Sequence, residues 1–94
     1  MSQGPFPSLF LRVITPQSLV VEAEVEEVTL PSLEGYLGIL PGHRPLYAAL
    51  GSGQITFQAA GRGNSLSVRG GYAEIGPERV TVFTELGEDE KAPL

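Results

Sequence analysis

Apolar and polar residues alternate with a period of two along most of the chain. In Leu9-Phe-Leu-Arg-Val-Ile-Thr15 the odd positions Leu9, Leu11 and Val13 share one face and Arg12 lies on the other, which predicts a first strand. Thr15-Pro16-Gln17-Ser18 reads as a turn, because proline fixes φ and its polar neighbours bond locally. From Leu19 to Leu30, Val21, Ala23 and Val25 alternate with Glu22, Glu24 and Glu26. The phase then slips, and Val28 and Leu30 become the apolar positions. A one-residue slip turns every later side chain to the other face unless the strand bulges or bends. A bend is therefore predicted near Glu26.

Pro31 to Pro45 reads as a loop enclosing one short strand, Leu37 to Leu40, among glycines 35, 38 and 42, with Pro41-Gly42-His43 as a turn. Leu46 to Leu50 fits either a strand or one helical turn. Gln54 to Ala59 and Ser65 to Arg69 alternate again across a hairpin loop, Gly61-Arg62-Gly63-Asn64. A last hairpin pairs Tyr72–Ile75 with Val80–Thr84 across Gly76-Pro77-Glu78-Arg79. No stretch carries a helical period, and short strands at this spacing predict an all-β sandwich or barrel. The expected organisation is a loose extension over residues 1–8, one β domain over 9–85, and a flexible acidic tail over 86–94.

Composition narrows the function. At 94 residues and 41% hydrophobic content, the chain holds one core. Eleven acidic residues against six basic ones give a net charge of -5, which disfavours nucleic acid, since phosphate binding rests on Lys and Arg clusters. The absence of cysteine excludes disulfides, thiolate metal sites and cysteine nucleophiles. No positive charge precedes the first apolar stretch, as a signal peptide requires. No apolar run approaches the roughly 20 residues that span a bilayer, so a soluble protein is expected.

Candidate chemistry is sparse. Gly51-Ser52-Gly53 and Gly61-Arg62-Gly63 do not complete G-x-G-x-x-G, and the only lysine, Lys91, stands in no Walker loop. His43 is the only histidine and has no cysteine or second histidine to share a metal. Between Gly42 and Arg44 it reads as a turn residue or an interface contact. Glu22, Glu24 and Glu26 recur at roughly 7 Å steps along one strand face, which suits a solvated face that discourages edge pairing, or a contact with a basic protein. No serine stands in a G-x-S-x-G elbow. No cofactor, metal or catalytic residue is assigned, and the chain is not expected to be an enzyme.

One stretch is distinctive. Glu34-Gly-Tyr-Leu-Gly-Ile-Leu-Pro-Gly-His-Arg-Pro-Leu46 resembles the E-G-x-L-G-I-x-P-G-H-x-P-L signature of the epsilon subunit of rotary F-type ATP synthases. The glycines at 35, 38 and 42 permit positive φ or close backbone approach, and the prolines at 41 and 45 set φ. The flanks agree in family order: Leu11-Arg-Val-Ile-Thr-Pro16, the acidic strand Ala23 to Leu30, Arg69-Gly-Gly-Tyr-Ala-Glu-Ile75 and Val80-Thr-Val-Phe83.

The resemblance implies a flattened ten-stranded β-sandwich and a non-catalytic role in the rotor. On that reading Ser32, Leu33, Glu34, Gly35 and Tyr36 face the membrane-embedded ring. Leu40, Pro41, Gly42 and His43 face the gamma subunit. Gly38, Gly70 and Gly71 serve as structural turns. The implied location is peripheral, on the cytoplasmic face of an energy-transducing membrane, with no ATP binding. Relatives commonly carry a second acid where Tyr36 stands, so the ring contact is expected to rely more on Tyr36 packing than on charge. Family members usually continue into a two-helix hairpin, which is not expected here because no helical pattern follows Glu85. The competing reading is a free-standing β-sandwich adaptor that docks another protein. A small hydrolase or metal enzyme is disfavoured by the residue inventory.

Overall fold

The computed structural model describes residues 8–87, and it is built of eight strands with no helix among them. They are β1 (Leu9–Ile14), β2 (Leu19–Val25), β3 (Glu27–Ser32), β4 (Gly35–Ile39), β5 (Leu46–Ala49), β6 (Ser52–Ala59), β7 (Arg62–Ile75) and β8 (Arg79–Leu86). Hydrogen bonds link them in the order β2-β1-β8-β7-β6-β3-β4, with β5 attached to β7. The expected all-β class holds. The described residues form eight strands where the resemblance implied ten: the slip at Glu26 divides Leu19–Leu30 between two strands, and the segments read as Ser65–Arg69 and Tyr72–Ile75 are one 14-residue strand.

That strand bends at Gly70-Gly71. Residues 62–69 pair with β6, whereas Tyr72–Ile75 pair with β5 on one side and β8 on the other. The single sheet thus folds into two layers, β2-β1-β8-β7-β5 against β7-β6-β3-β4. The described chain is only 18 Å across its thinnest axis, as two sheets packed at about 10 Å require. Both glycines have positive φ, +67° and +95°. A Cβ on Gly71 would sit 1.8 Å from the Phe83 carbonyl oxygen, so no other residue fits there. The buried Thr84 donates its hydroxyl to the Gly70 carbonyl at 2.6 Å, satisfying a group that the bulge takes out of the ladder.

The predicted alternation sets the core. Leu9, Leu11 and Val13 meet Val80 and Val82, Ala73 and Ile75, and Val28, Leu30, Ile39, Leu50, Ile55 and Val68 from the facing layer. Each fully buried Val, Leu or Ile contributes about 1.5–3 kcal/mol. The bend lies at Glu26, between Val25 at the end of β2 and Glu27 at the start of β3. Leu46 to Ala49 is a strand rather than a helical turn. The loop expected over 61–64 is tighter: Ala59 pairs with Arg62, and Ala60-Gly61 alone turn the chain with φ of +52° and +76°. Such paired positive φ values match the right-handed twist of the flanking strands. At the other end, Leu86 still pairs with Val68, one residue past the expected domain boundary. Apart from Ser8, Leu86 and Gly87, the expected extension and tail fall on residues outside those described. β1 and β8 pair in parallel, which the sequence did not reveal.

Candidate partner-binding surfaces

The tip Ser32–Tyr36 is the end of the β3–β4 hairpin. Ser32 pairs with Gly35, so Leu33-Glu34 form a two-residue turn. Gly35 adopts φ +117°, a region that only glycine enters readily. The Ser32 hydroxyl accepts the Glu34 N–H at 3.2 Å and donates to the Gly35 carbonyl. The turn end of β3 is pinned to the neighbouring segment, with Leu33 N–H donating to Ala49 O and Gly51 N–H to Pro31 O, each at 2.9 Å. Leu33 is 69% exposed at the apex, beside the exposed Glu34. Tyr36 sits opposite the buried Pro31 and lies over Gly53, and its hydroxyl accepts the Gln54 N–H at 3.4 Å.

The loop Leu40–His43 is held against the β7–β8 turn. Gly42, at φ +89°, donates its N–H to Pro77 O at 2.8 Å, and His43 N–H donates to Leu40 O at 3.1 Å. His43 Nδ1 lies 2.7 Å from the Arg44 carbonyl; a carbonyl only accepts, so Nδ1 carries the proton. The half-buried ring is thereby engaged locally, and Leu40 is the exposed apolar residue of the loop, with Pro41 half-buried beside it. Gly38 differs from the expectation. It lies inside β4 without positive φ, and nothing stands within 4 Å of where its Cβ would be. It is a strand residue, not a turn.

The acidic strand face is absorbed by local bonds. Glu22 pairs with Arg12 at 3.3 Å, Glu24 accepts from Ser8 Oγ at 3.4 Å, and Glu26 accepts the Gly61 N–H at 3.3 Å. No group of three His, Cys, Asp or Glu side chains converges among the described residues.

Sequence reading missed an outward apolar row. Ile14, Phe83, Tyr72 and Ala49 stand opposite one another across β1, β8, β7 and β5. Tyr72 and Phe83 stack with centroids 5.0 Å apart. They border a groove of about 520 Å³ closed by Pro16, Arg69 and Glu85. A second groove of about 490 Å³ runs past Pro45, Leu46, Tyr47, Glu74 and Arg79, beside the Leu40–His43 loop. Only the period-two phase of each strand hinted at these rows; joining them needed the parallel β1–β8 register.

The described residues thus form a β-sandwich that presents exposed turns and an apolar sheet face. Residues 8–89 match the family described as ATP synthase, Delta/Epsilon chain, beta-sandwich domain, and the chain belongs to that family, whose epsilon chain is a non-catalytic subunit. It is 41% identical over 81 residues to the ATP synthase epsilon chain of Solibacter usitatus (strain Ellin6076), covering 86% of this chain and 60% of that one. Identity to the epsilon chain of Synechococcus sp. (strain JA-2-3B'a(2-13)) is 44%, with 86% and 59% covered. The chain thus spans about three fifths of the length of these relatives. A chain in the Euglena gracilis mitochondrial ATP synthase structure (OSCP/F1/c-ring, rotational state 1) has the same fold, with TM-score 0.79 at 20% identity over 89% of this chain and 55% of its own. A chain of the Tetrahymena thermophila central stalk/c-ring structure gives TM-score 0.68 at 12% identity, over 82% and 63%. No helix among the described residues is long and apolar enough to cross a membrane.

Proposed function

We propose that this chain is a non-catalytic central-stalk subunit of a rotary F-type ATP synthase. It links the gamma subunit to the membrane ring and supports the coupling of ion flow to ATP synthesis. It acts as a peripheral subunit on the cytoplasmic face of an energy-transducing membrane. The observation that carries this reading is the pair of anchored, solvent-facing surfaces. The Ser32–Tyr36 tip meets the ring, and Leu40, Pro41, Gly42 and His43 meet gamma together with the adjoining Leu46–Tyr47 groove. A torque-bearing contact needs stiffness at its root, and both surfaces have it: backbone bonds of 2.8–2.9 Å tie the tip to Ala49 and Gly51 and the loop to Pro77.

Reconstitution tests the reading. The host ATP synthase stripped of this chain should regain coupled proton pumping when the purified chain is added back. Replacing Leu40–His43 with a flexible polar linker should abolish binding to gamma, while replacing Leu33-Glu34 should spare gamma binding and uncouple pumping. Undiminished gamma binding by the first replacement would sink the assignment of that loop. Capture of an unrelated protein, with no rescue of pumping, would favour the free-standing adaptor. Calorimetry with ATP should show no binding in the micromolar range.

A further inference from the structure

The geometry at the β3–β4 tip assigns Tyr36 a different part from that of its neighbours. We propose that Tyr36 is a positioning residue, a strut between β4 and β6 that fixes the tip so that Leu33 and Glu34 alone touch the partner. This rests on the tip being the ring-facing surface. The β3–β6 ladder pairs Glu27, Val28 and Thr29 with Gln58, Phe57 and Thr56 and goes no further. Beyond Thr29 the strand carries Pro31, which has no N–H, and the Pro31 carbonyl accepts from Gly51 instead. The Gln54 N–H is left without a ladder partner on that side, and the Tyr36 hydroxyl accepts it at 3.4 Å. The hydroxyl end of Tyr36, with Pro31, fills the space beside Gly53. A Cβ on Gly53 would stand 2.7 Å from the Tyr36 hydroxyl and 2.8 Å from Pro31 Cβ. The absence of a side chain at 53 is thus what admits the tyrosine.

Tyr36 is itself 65% exposed, but its hydroxyl is turned onto Gln54 of its own sheet, and the two-residue apex turn offers one apolar side chain, Leu33, next to one carboxylate, Glu34, which has no ion pair among the described residues. This pairing fits a polar partner loop with an apolar hollow beside a cation. Charge and packing are then divided between adjacent residues. Tyr36 contributes neither directly.

The test uses the full chain and the host ATP synthase stripped of it. Tyr36→Ala should speed exchange of the Gln54 amide at least about tenfold and weaken binding to the stripped enzyme by a similar factor, with little change in melting temperature. Tyr36→Phe keeps the ring, so binding should stay within about twofold while Gln54 exchange still rises. Gly53→Ala displaces the Tyr36 hydroxyl and should also speed Gln54 exchange, and in the double variant that effect should be no larger than in either single one. Leu33→Asp should weaken binding to the stripped enzyme at least as much as Tyr36→Ala, the gamma contact being spared, without altering Gln54 exchange. In the assembled enzyme Tyr36 should remain as reactive to nitration as in the free chain. Unchanged Gln54 exchange in Tyr36→Ala, additive effects on that exchange in the double variant, or protection of Tyr36 on assembly would each overturn the strut. Wild-type binding by Leu33→Asp would overturn the tip as the ring contact, and the exchange data would then judge the strut separately.

Discussion

Gly71 faces two constraints and Gly70 one. Gly70 has positive φ but open space around its missing Cβ, whereas Gly71 combines φ +95° with the Phe83 carbonyl 1.8 Å away. Gly70→Ala should cost about 1–2 kcal/mol from the backbone alone. Gly71→Ala must also push β8 off β7, and the loss should exceed about 3 kcal/mol of a total near 5–15. Denaturant melts of the two variants check the order. Gly38→Val is expected to change stability by less than about 1 kcal/mol, since its site is an open strand position that suits a β-branched residue. The sequence marked glycines 35, 38 and 42 as a set, and spacing could not separate the two with positive φ from the one without. At Ala60, φ +52° in a two-residue hairpin turn stores strain that asparagine relieves. Ala60→Asn should stabilise the chain by about 0.5–1 kcal/mol, seen as a melting temperature raised by roughly 2–8 °C.

At the scale of elements, what the sequence made legible was parity. Odd Leu9, Leu11 and Val13, and even Val28 and Leu30, are all buried, and the slip between them falls at the Glu26 bend. The structure adds why an acid stands there: Glu26 N–H donates to Gln58 O at 2.8 Å, and its carboxylate holds the Gly61 N–H of the distant hairpin turn. Glu26→Ala should therefore loosen the 59–62 turn, measurable as faster Gly61 amide exchange, while costing no more than about 1–2 kcal/mol because the site is exposed. The cross-strand pairs Arg12–Glu22 and Arg69–Glu85 are also half-exposed, at 3.3 and 3.7 Å. A double-mutant cycle on the first should return less than about 1 kcal/mol. Turn lengths were less legible. Gly63 and Asn64 are turn formers by composition, yet they continue β7, because pairing with Gln58 and Phe57 outweighs their local preference.

For the whole molecule, pairing between the ends of the chain is decisive, and a period-two pattern carries no information about it. β8 is an interior strand, with β1 parallel on one side and β7 antiparallel on the other. Val80 and Val82 on it are fully buried among Leu9, Leu11 and Val13. The Leu40–His43 loop and the outward apolar row depend on it as well, since Pro77, at the turn leading into β8, anchors the loop, and Phe83 completes the row. A chain truncated after Gly76 loses the strand that joins β1 and β2 to the remainder. It should fail to give a cooperative melt, and gamma binding should vanish with it. Truncation after Gly87 keeps the bonds that hold β8 among the described residues, down to Gly87 N–H donating to Ser67 O at 2.9 Å. That shorter chain should melt within about 2 °C of the full one. Because β1 must find β8 across most of the sequence, folding should also be slow for this size, in the millisecond-to-second range typical of non-local β pairing. Stopped-flow refolding measures it. Microsecond folding would mean that the end-to-end pair does not limit assembly of the sandwich.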